Sequence, residues 1–364
     1  MGCPSARPTS LSLAARLAPG LRVLAALLVL GALALAPRSA RADRNDLRLM
    51  GLCDYGGGAT CPWVRQTPTS TVVNLDGAAG SRFRSLMSEL GVAIAPRLQT
   101  PADTLGFAGF QFSAELGMTD ISQDKPYWNA IAGVDPSNTR ARRPPAFLTT
   151  IGAFVRKGMW FPIPSLEWGG GAVNILQSGM WAVQGYVKLA LHEGFHSWPL
   201  PSIAVRGAFS TLVGTDQADL TVSSFDLVIS KAFSLAGAAR VEPFAGWDFL
   251  FINAHSAVID ATPACDAVRL HNTDPADARA VAMLPASCPA AQAGTWADLG
   301  ANFTFPNQSV ITRNRVYAGL KIRLSILFLV AQAALTPGGR SQDGSAHDQS
   351  GSQRSVDVST GFDF

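Results

Sequence analysis

His192, Glu193 and His196 stand in the HExxH spacing. On a helix, histidines at i and i+4 share one face and hold zinc, while the glutamate activates the metal-bound water. The neighbouring residues argue against that helix. The residues before His192 alternate apolar and polar, as a strand does. Gly194 sits at the centre of the motif, and Ser197-Trp198-Pro199-Leu200-Pro201 follows at once. No third ligand announces itself. The motif therefore reads as the end of a strand and a turn, with Phe195 and Trp198 at its edge, and no metal or other cofactor is expected.

Two further pairs are candidates for nucleophilic chemistry. His196-Ser197 and His255-Ser256 are adjacent in sequence, so on a strand their side chains point to opposite faces. No G-x-S-x-G elbow is present. An outer-membrane lipid hydrolase and an HExxH metalloprotease are therefore the minor alternatives, and no enzyme activity is expected. Asp260, Asp266, Asp274, Asp277 and Asp298 are spread through one stretch without the spacing of a calcium loop, and they read as solvated loop charges. Four cysteines remain once Cys3 is set aside with the leader described next. They are Cys53, Cys61, Cys265 and Cys288. An even number in an exported chain points to disulfides. Three pairings are open, and proximity favours Cys53–Cys61 and Cys265–Cys288.

The leader is residues 1–42. Basic residues precede an apolar run from Val23 to Ala36, and Ala40-Arg41-Ala42 is a small-x-small cleavage site, so this segment reads as a secretory signal peptide with Asp43 as the mature start. It carries five arginines and no acid. Removing those five from 29 basic residues leaves 24 against 26 acidic ones, a net charge of −2. A nucleic-acid partner is not indicated. The chain is 48% hydrophobic and only 15% charged, against roughly 25% charged in a typical soluble domain. After residue 42 no second apolar run is long enough for a helical span.

The elements that would position these side chains are strands. In Arg354–Phe364, RSVDVSTGFDF, Val356, Val358, Thr360, Phe362 and Phe364 fall on one parity and Ser355, Asp357, Ser359, Gly361 and Asp363 on the other. This terminal strand, closing on Phe364 with Phe362 two residues back, resembles the C-terminal strand of bacterial outer-membrane β-barrels. The resemblance implies an outer-membrane location, a lipid-facing exterior, and recognition of Phe362 and Phe364 by the barrel-insertion machinery after escort by periplasmic chaperones.

Similar alternation recurs near 86–98, 105–118, 146–156, 165–176, 180–192, 202–213, 217–232, 237–253, 313–323 and 325–336. With the last strand that makes eleven. Single-chain bacterial barrels have even numbers, so a twelfth strand is expected near Thr71–Leu75. The predicted fold is all-β: a membrane-spanning, antiparallel, up-and-down barrel of about twelve strands, with ten or fourteen as alternatives. Residues 43–85 form an N-terminal segment able to supply an extra strand or a plug. Residues 86–364 form the barrel, with a large loop at 255–309. Long segments at 120–145, 255–309 and 337–351 fall on one end, and short connections, including a tight turn at 99–104, on the other.

On this reading the polar parity faces a lumen. Glu115, Lys188, Arg206, Asp226, Arg240, Glu242, Asp248, Lys321 and Arg323 are the residues expected to line it, with Glu89, Arg97 and Asp357 in the same inferred set. Both signs are present in similar numbers. Such a set serves a narrow porin-like channel for an unidentified solute, or pairs across a closed barrel that displays its large loop to surface partners.

Overall fold

The computed structural model describes residues 43–52, 73–74, 77–97, 99–134, 143–159, 165–193, 200–235, 239–260 and 302–364. The signal-peptide region, all four paired-cysteine candidates, His196 and most of the 255–309 loop lie outside the described residues.

Ten strands form the wall. They are β1 (Phe110–Asp120), β2 (Phe147–Met159), β3 (Leu166–Ile175), β4 (Trp181–His192), β5 (Ser202–Val213), β6 (Ala218–Ser230), β7 (Ala239–Ser256), β8 (Ile311–Leu324), β9 (Leu327–Thr336) and β10 (Gln353–Asp363). Each pairs antiparallel with its neighbour in sequence, and β10 pairs with β1 to close the cylinder. Two backbone hydrogen bonds between Phe110 and Phe364 extend that closing seam. All strands obey the two-residue period. Leu116, Ile151, Val187, Phe225, Trp247 and Leu329 point outward and are exposed. Their sequence neighbours point inward and are buried, many of them charged.

The barrel fold and its up-and-down order are as the sequence predicts, with ten strands rather than the preferred twelve. Two sequence assignments change. Residues 86–98 are not a strand: Ala78–Ala93 is a helix, α1. Phe83, Leu86, Met87 and Leu90 are spaced at i, i+3, i+4 and i+7, which is a helical stripe. The alternation of Leu90, Val92 and Ile94 is a short run that mimics a strand at its end. Pro96 disfavours helical geometry at the residue before it, and α1 has ended by then. The second change concerns Val73–Asn74. It joins a small separate sheet with Asn302–Thr304 and Ile259–Asp260, not the wall. The even wall is thus reached by losing a strand from the count of eleven, not by gaining one. A consequence for the domain limits is that the wall begins at Phe110, not at residue 86.

The connections sort by end. Those at 121–146, 257–310 and 337–352 are long and share one end with the two tight links 176–180 and 214–217. The opposite end carries the shorter links 160–165, 193–201, 231–238 and 325–326, and Phe364. Residues 43–52 sit at the long-loop end. The Asn45 amide donates to the Gln177 carbonyl at 2.8 Å, the Gly179 amide to Asp46 Oδ1 at 2.7 Å, and the Leu49 amide to Gln217 Oε1 at 3.1 Å.

Candidate functional site: the filled lumen

The lumen is occupied along its length by residues 78–105 of the same chain. In the long-loop half the filler is α1. Phe83, Leu86, Met87 and Leu90 join one buried cluster with Leu220, Val222, Leu250, Ile252 and Ile311 of the inner wall. Helix and wall approach closely at Gly91: a Cβ built there would lie 2.8 Å from the Ile252 side chain. Above the helix, Glu89 is held by four donors. The Tyr127 hydroxyl and Trp128 Nε1 reach it at 2.6 and 2.7 Å, and the Ser122 and Gly351 amides each at 2.9 Å. Burial first, and then the Glu89 carboxylate, push the Tyr127 phenol well above its usual range.

In the short-turn half the filler is the irregular segment 94–105. It meets a belt of charged side chains. In the pairing register Glu167, Lys188, Arg206, Asp226, Asp248 and Arg315 stand directly opposite one another on six successive strands, β3 to β8. They resolve into three ion pairs, Glu167–Lys188 at 3.1 Å, Arg206–Asp226 at 2.7 Å and Arg315–Asp248 at 2.6 Å. Two like-charged neighbours, Lys188 beside Arg206 and Asp226 beside Asp248, are tolerated because each has its own counter-ion. The Tyr317 hydroxyl also bonds both Arg206 and Asp226. Glu115 pairs with Arg156, which also donates to Gln111 and Ser113 at 3.1 and 2.6 Å.

The nine lumen candidates all face inward, but they divide. Glu115, Lys188, Arg206, Asp226 and Asp248 are buried inside paired networks. Arg240, Glu242, Lys321 and Arg323 surround a cavity of about 260 Å³ at the short-turn end, together with Pro101, Asp103 and Asp363. There Arg240 pairs with Asp103 at 2.6 Å and Lys321 with Asp363 at 2.9 Å. Arg323 reaches Asp363 only at 3.7 Å, with a side chain 42% exposed. Glu89 and Arg97 do point into the lumen, but from the filler rather than from the wall. Arg97 pairs with Asp357 at 3.0 Å.

Sequence reasoning missed Arg156, Glu167, Arg313, Arg315 and Asp363. Arg313 and Arg315 share the parity of Lys321 and Arg323, and Asp363 that of Asp357, so strict parity would have found them. Glu167 was hidden because Gly169, Gly170 and Gly171 leave the faces of β3 ambiguous. The expected turn at 99–104 is instead part of the lumen segment. Of the HExxH motif, His192 closes β4 and Glu193 is buried, accepting from the Thr104 amide at 2.8 Å and from the Ser165 hydroxyl at 2.8 Å. Phe362 and Phe364 lie on the exterior at the seam, their rings stacked 6.1 Å apart.

A closed cylinder with an apolar exterior and a charged, hydrogen-bonded interior inverts the arrangement of a water-soluble protein. Such a wall satisfies every ladder hydrogen bond within lipid and leaves no strand edge. The chain is an outer-membrane β-barrel. Among the described residues no helix is long and apolar enough to cross a membrane. No family model and no curated protein sequence matches this barrel. Among solved structures it is similar to Ail, the attachment invasion locus protein of Yersinia pestis, at 8% identity over 71% of this chain and 99% of that one, with a TM-score of 0.24. It is also similar to the outer-membrane protease OmpT of Escherichia coli, at 5% identity over 71% and 94% with a TM-score of 0.27. The translocator domain of the autotransporter NalP from Neisseria meningitidis matches at 9% identity over 71% and 89%, with a TM-score of 0.28. The assignment rests on the wall itself.

Proposed function

We propose that this is a closed barrel whose task is to hold a cap of loops at the cell surface, as a structural or surface-interaction protein, rather than an open channel. The observation that carries this reading is the filled lumen. α1 occupies one half by apolar packing, and the segment 94–105 is hydrogen-bonded to the charged belt in the other. Outer-membrane barrels turn their long loops outward. On that orientation residues 43–52 and the described parts of the connections 121–146, 257–310 and 337–352 lie at the outer end of the barrel, beyond α1. The Arg313 guanidinium binds the hydroxyls of Ser88 and Ser350, each at 2.7 Å, so loop 337–352 is fixed to helix and wall together.

A porin-like channel is the other function expected from sequence. The inward charges that favoured it are engaged with each other or with the filler, and the cavity ringed by Arg240, Lys321 and Arg323 lies at one end of the lumen. Planar-bilayer recording of the purified, folded chain tests the choice. The closed barrel gives no sustained conductance steps. Reproducible steps from the intact chain would overturn the closed reading in favour of transport.

A further inference from the structure

The wall meets the segment 94–105 chiefly through that segment's main chain. Gln184 Nε2 and the Ser210 hydroxyl donate to the Ile94 carbonyl at 2.9 and 2.7 Å, and Arg315 donates to the Pro96 carbonyl at 2.9 Å. Arg206 donates to the Thr100 carbonyl at 3.1 Å. Lys188 donates to those of Pro101 and Asp103 at 3.1 and 2.8 Å. In the other direction the amides of Arg97, Ala102, Thr104 and Leu105 donate to Gln184, Ser230, Glu193 and Glu167 at 2.8–3.1 Å. The wall cations Lys188, Arg206 and Arg315 thus serve carbonyls while each keeps its counter-ion in the belt, and the carboxylates of Glu167 and Glu193 serve amides.

The segment is irregular, with bends at Thr100, Ala102 and Asp103, yet it runs along the wall. Gln184 bonds residues 94–97 and Glu193 bonds Thr104. From Arg97 to Thr104 the filler thus runs alongside the wall from Gln184 to Glu193, just past the end of β4. Side-chain readout is sparse. Arg97 meets Asp357 and Thr150, the Thr100 hydroxyl meets Arg206, the Thr104 hydroxyl meets Glu193, and Asp103 meets Arg240. Gln99 is buried, and among the described residues neither of its side-chain polar atoms has a hydrogen-bond partner. Pro96 and Pro101 have no amide to satisfy.

We propose that the short-turn half of the lumen is a binding channel for a polypeptide segment held chiefly by its main chain, with 94–105 as its resident ligand. It recognises a basic and an acidic residue six positions apart, as Arg97 and Asp103 are, and accepts proline and apolar residues between and beside them. The same segment from a second copy of the chain would then fit it. This deepens the closed-barrel reading by naming what the lumen is built to hold.

The test uses the full chain with a protease site inserted in the turn at Gly106–Gly109, where Phe107 is 70% exposed. The chain is folded, cut, and incubated at sub-denaturing urea with a fluorescent synthetic peptide of residues 78–106. Uptake is read by polarisation after gel filtration. The native peptide is expected to replace the cut segment, and a Gln99→Leu peptide to do so at least as well, since it removes an unsatisfied buried amide. A peptide with Arg97→Glu and Asp103→Lys is expected to bind about a hundredfold more weakly, roughly tenfold for each lost charge contact. Equal uptake of the charge-reversed peptide would overturn the proposal, leaving α1 and shape alone as the determinants. A cut chain that takes up no peptide would overturn it too, the segment then being an inseparable part of the fold. Conductance of the uncut chain counts against the closed barrel but leaves peptide uptake standing.

Discussion

The two halves of the lumen are filled by consecutive residues of one segment on opposite physical principles. In the long-loop half α1 presents Phe83, Leu86 and Leu90 to an apolar inner wall, and the contact is mainly non-directional burial, with Arg84, Ser88 and Glu89 hydrogen-bonded beside it. In the short-turn half residues 94–105 lie against Glu167, Lys188, Arg206, Asp226, Asp248 and Arg315, and the contacts are mainly directional, with Ala102 packed among Ala190, Ala204 and Val228. Apolar packing fills volume but tolerates small sliding. A belt of charges has one register in which every group is paired. The helix therefore supplies bulk, and the segment that follows it supplies alignment.

That contrast breaks most visibly at Arg206. Arg206→Met leaves Asp226 buried beside Asp248 with its ion pair gone, a loss of about 3–5 kcal/mol. Urea unfolding in detergent should show it, and the double variant Arg206→Met/Asp226→Leu should recover a good part of it. If single and double variants lose equally, packing rather than charge carries this half. Next is Leu86→Ala in α1, expected to cost about 2–4 kcal/mol through the cavity it leaves. It should leave the segment's register untouched, as spin-label distances from residue 103 to the wall would report.

A smaller effect belongs to the hydrogen bond over the helix. Tyr127→Phe removes a donor to the Glu89 carboxylate, worth about 1.5–3 kcal/mol for a charged acceptor. Because the folded phenol is raised above its unfolded value of about 10, its contribution is fully present below that pH. It is lost as pH climbs toward the folded value. The gap between wild type and variant should therefore narrow in alkali. A gap that widens would contradict the neutral phenol. Last comes Arg323→Ala at the open end, where a half-exposed, 3.7 Å pair should change stability by no more than about 1 kcal/mol.

The wall was legible because a two-residue period repeated over ten or more residues has few rivals. Inward residues such as Lys188, Arg206, Asp226 and Asp248 follow from it by parity alone. Their pairing does not follow, since which charges meet depends on register across strands far apart in sequence: Asp248 meets Arg315, not Arg240. The filler was misread for a local reason. Leu90, Val92 and Ile94 alternate over the few residues where α1 is ending, while the helical stripe that decides the matter lies further back, at Phe83, Leu86 and Met87. The main-chain contacts of 94–105 left no trace in sequence, because a carbonyl is the same on every residue.

The filler runs directly into β1, and β1 forms the closing seam with β10. The arrangement therefore has an order in time. A helix is about 10–12 Å across with its side chains, and α1 is pinned to loops at one end while the other end is continuous with the wall. Were β1 and β10 to zip before residues 78–105 had settled, the helix would have to be drawn through a finished cylinder already lined with paired charge. The belt of Lys188, Arg206 and Arg315 gives those residues somewhere to settle while the sheet is still open. On this geometry the seam at Phe110 and Phe364 is expected to shut after residues 78–105 have settled, and a barrel that closed early would be an empty one.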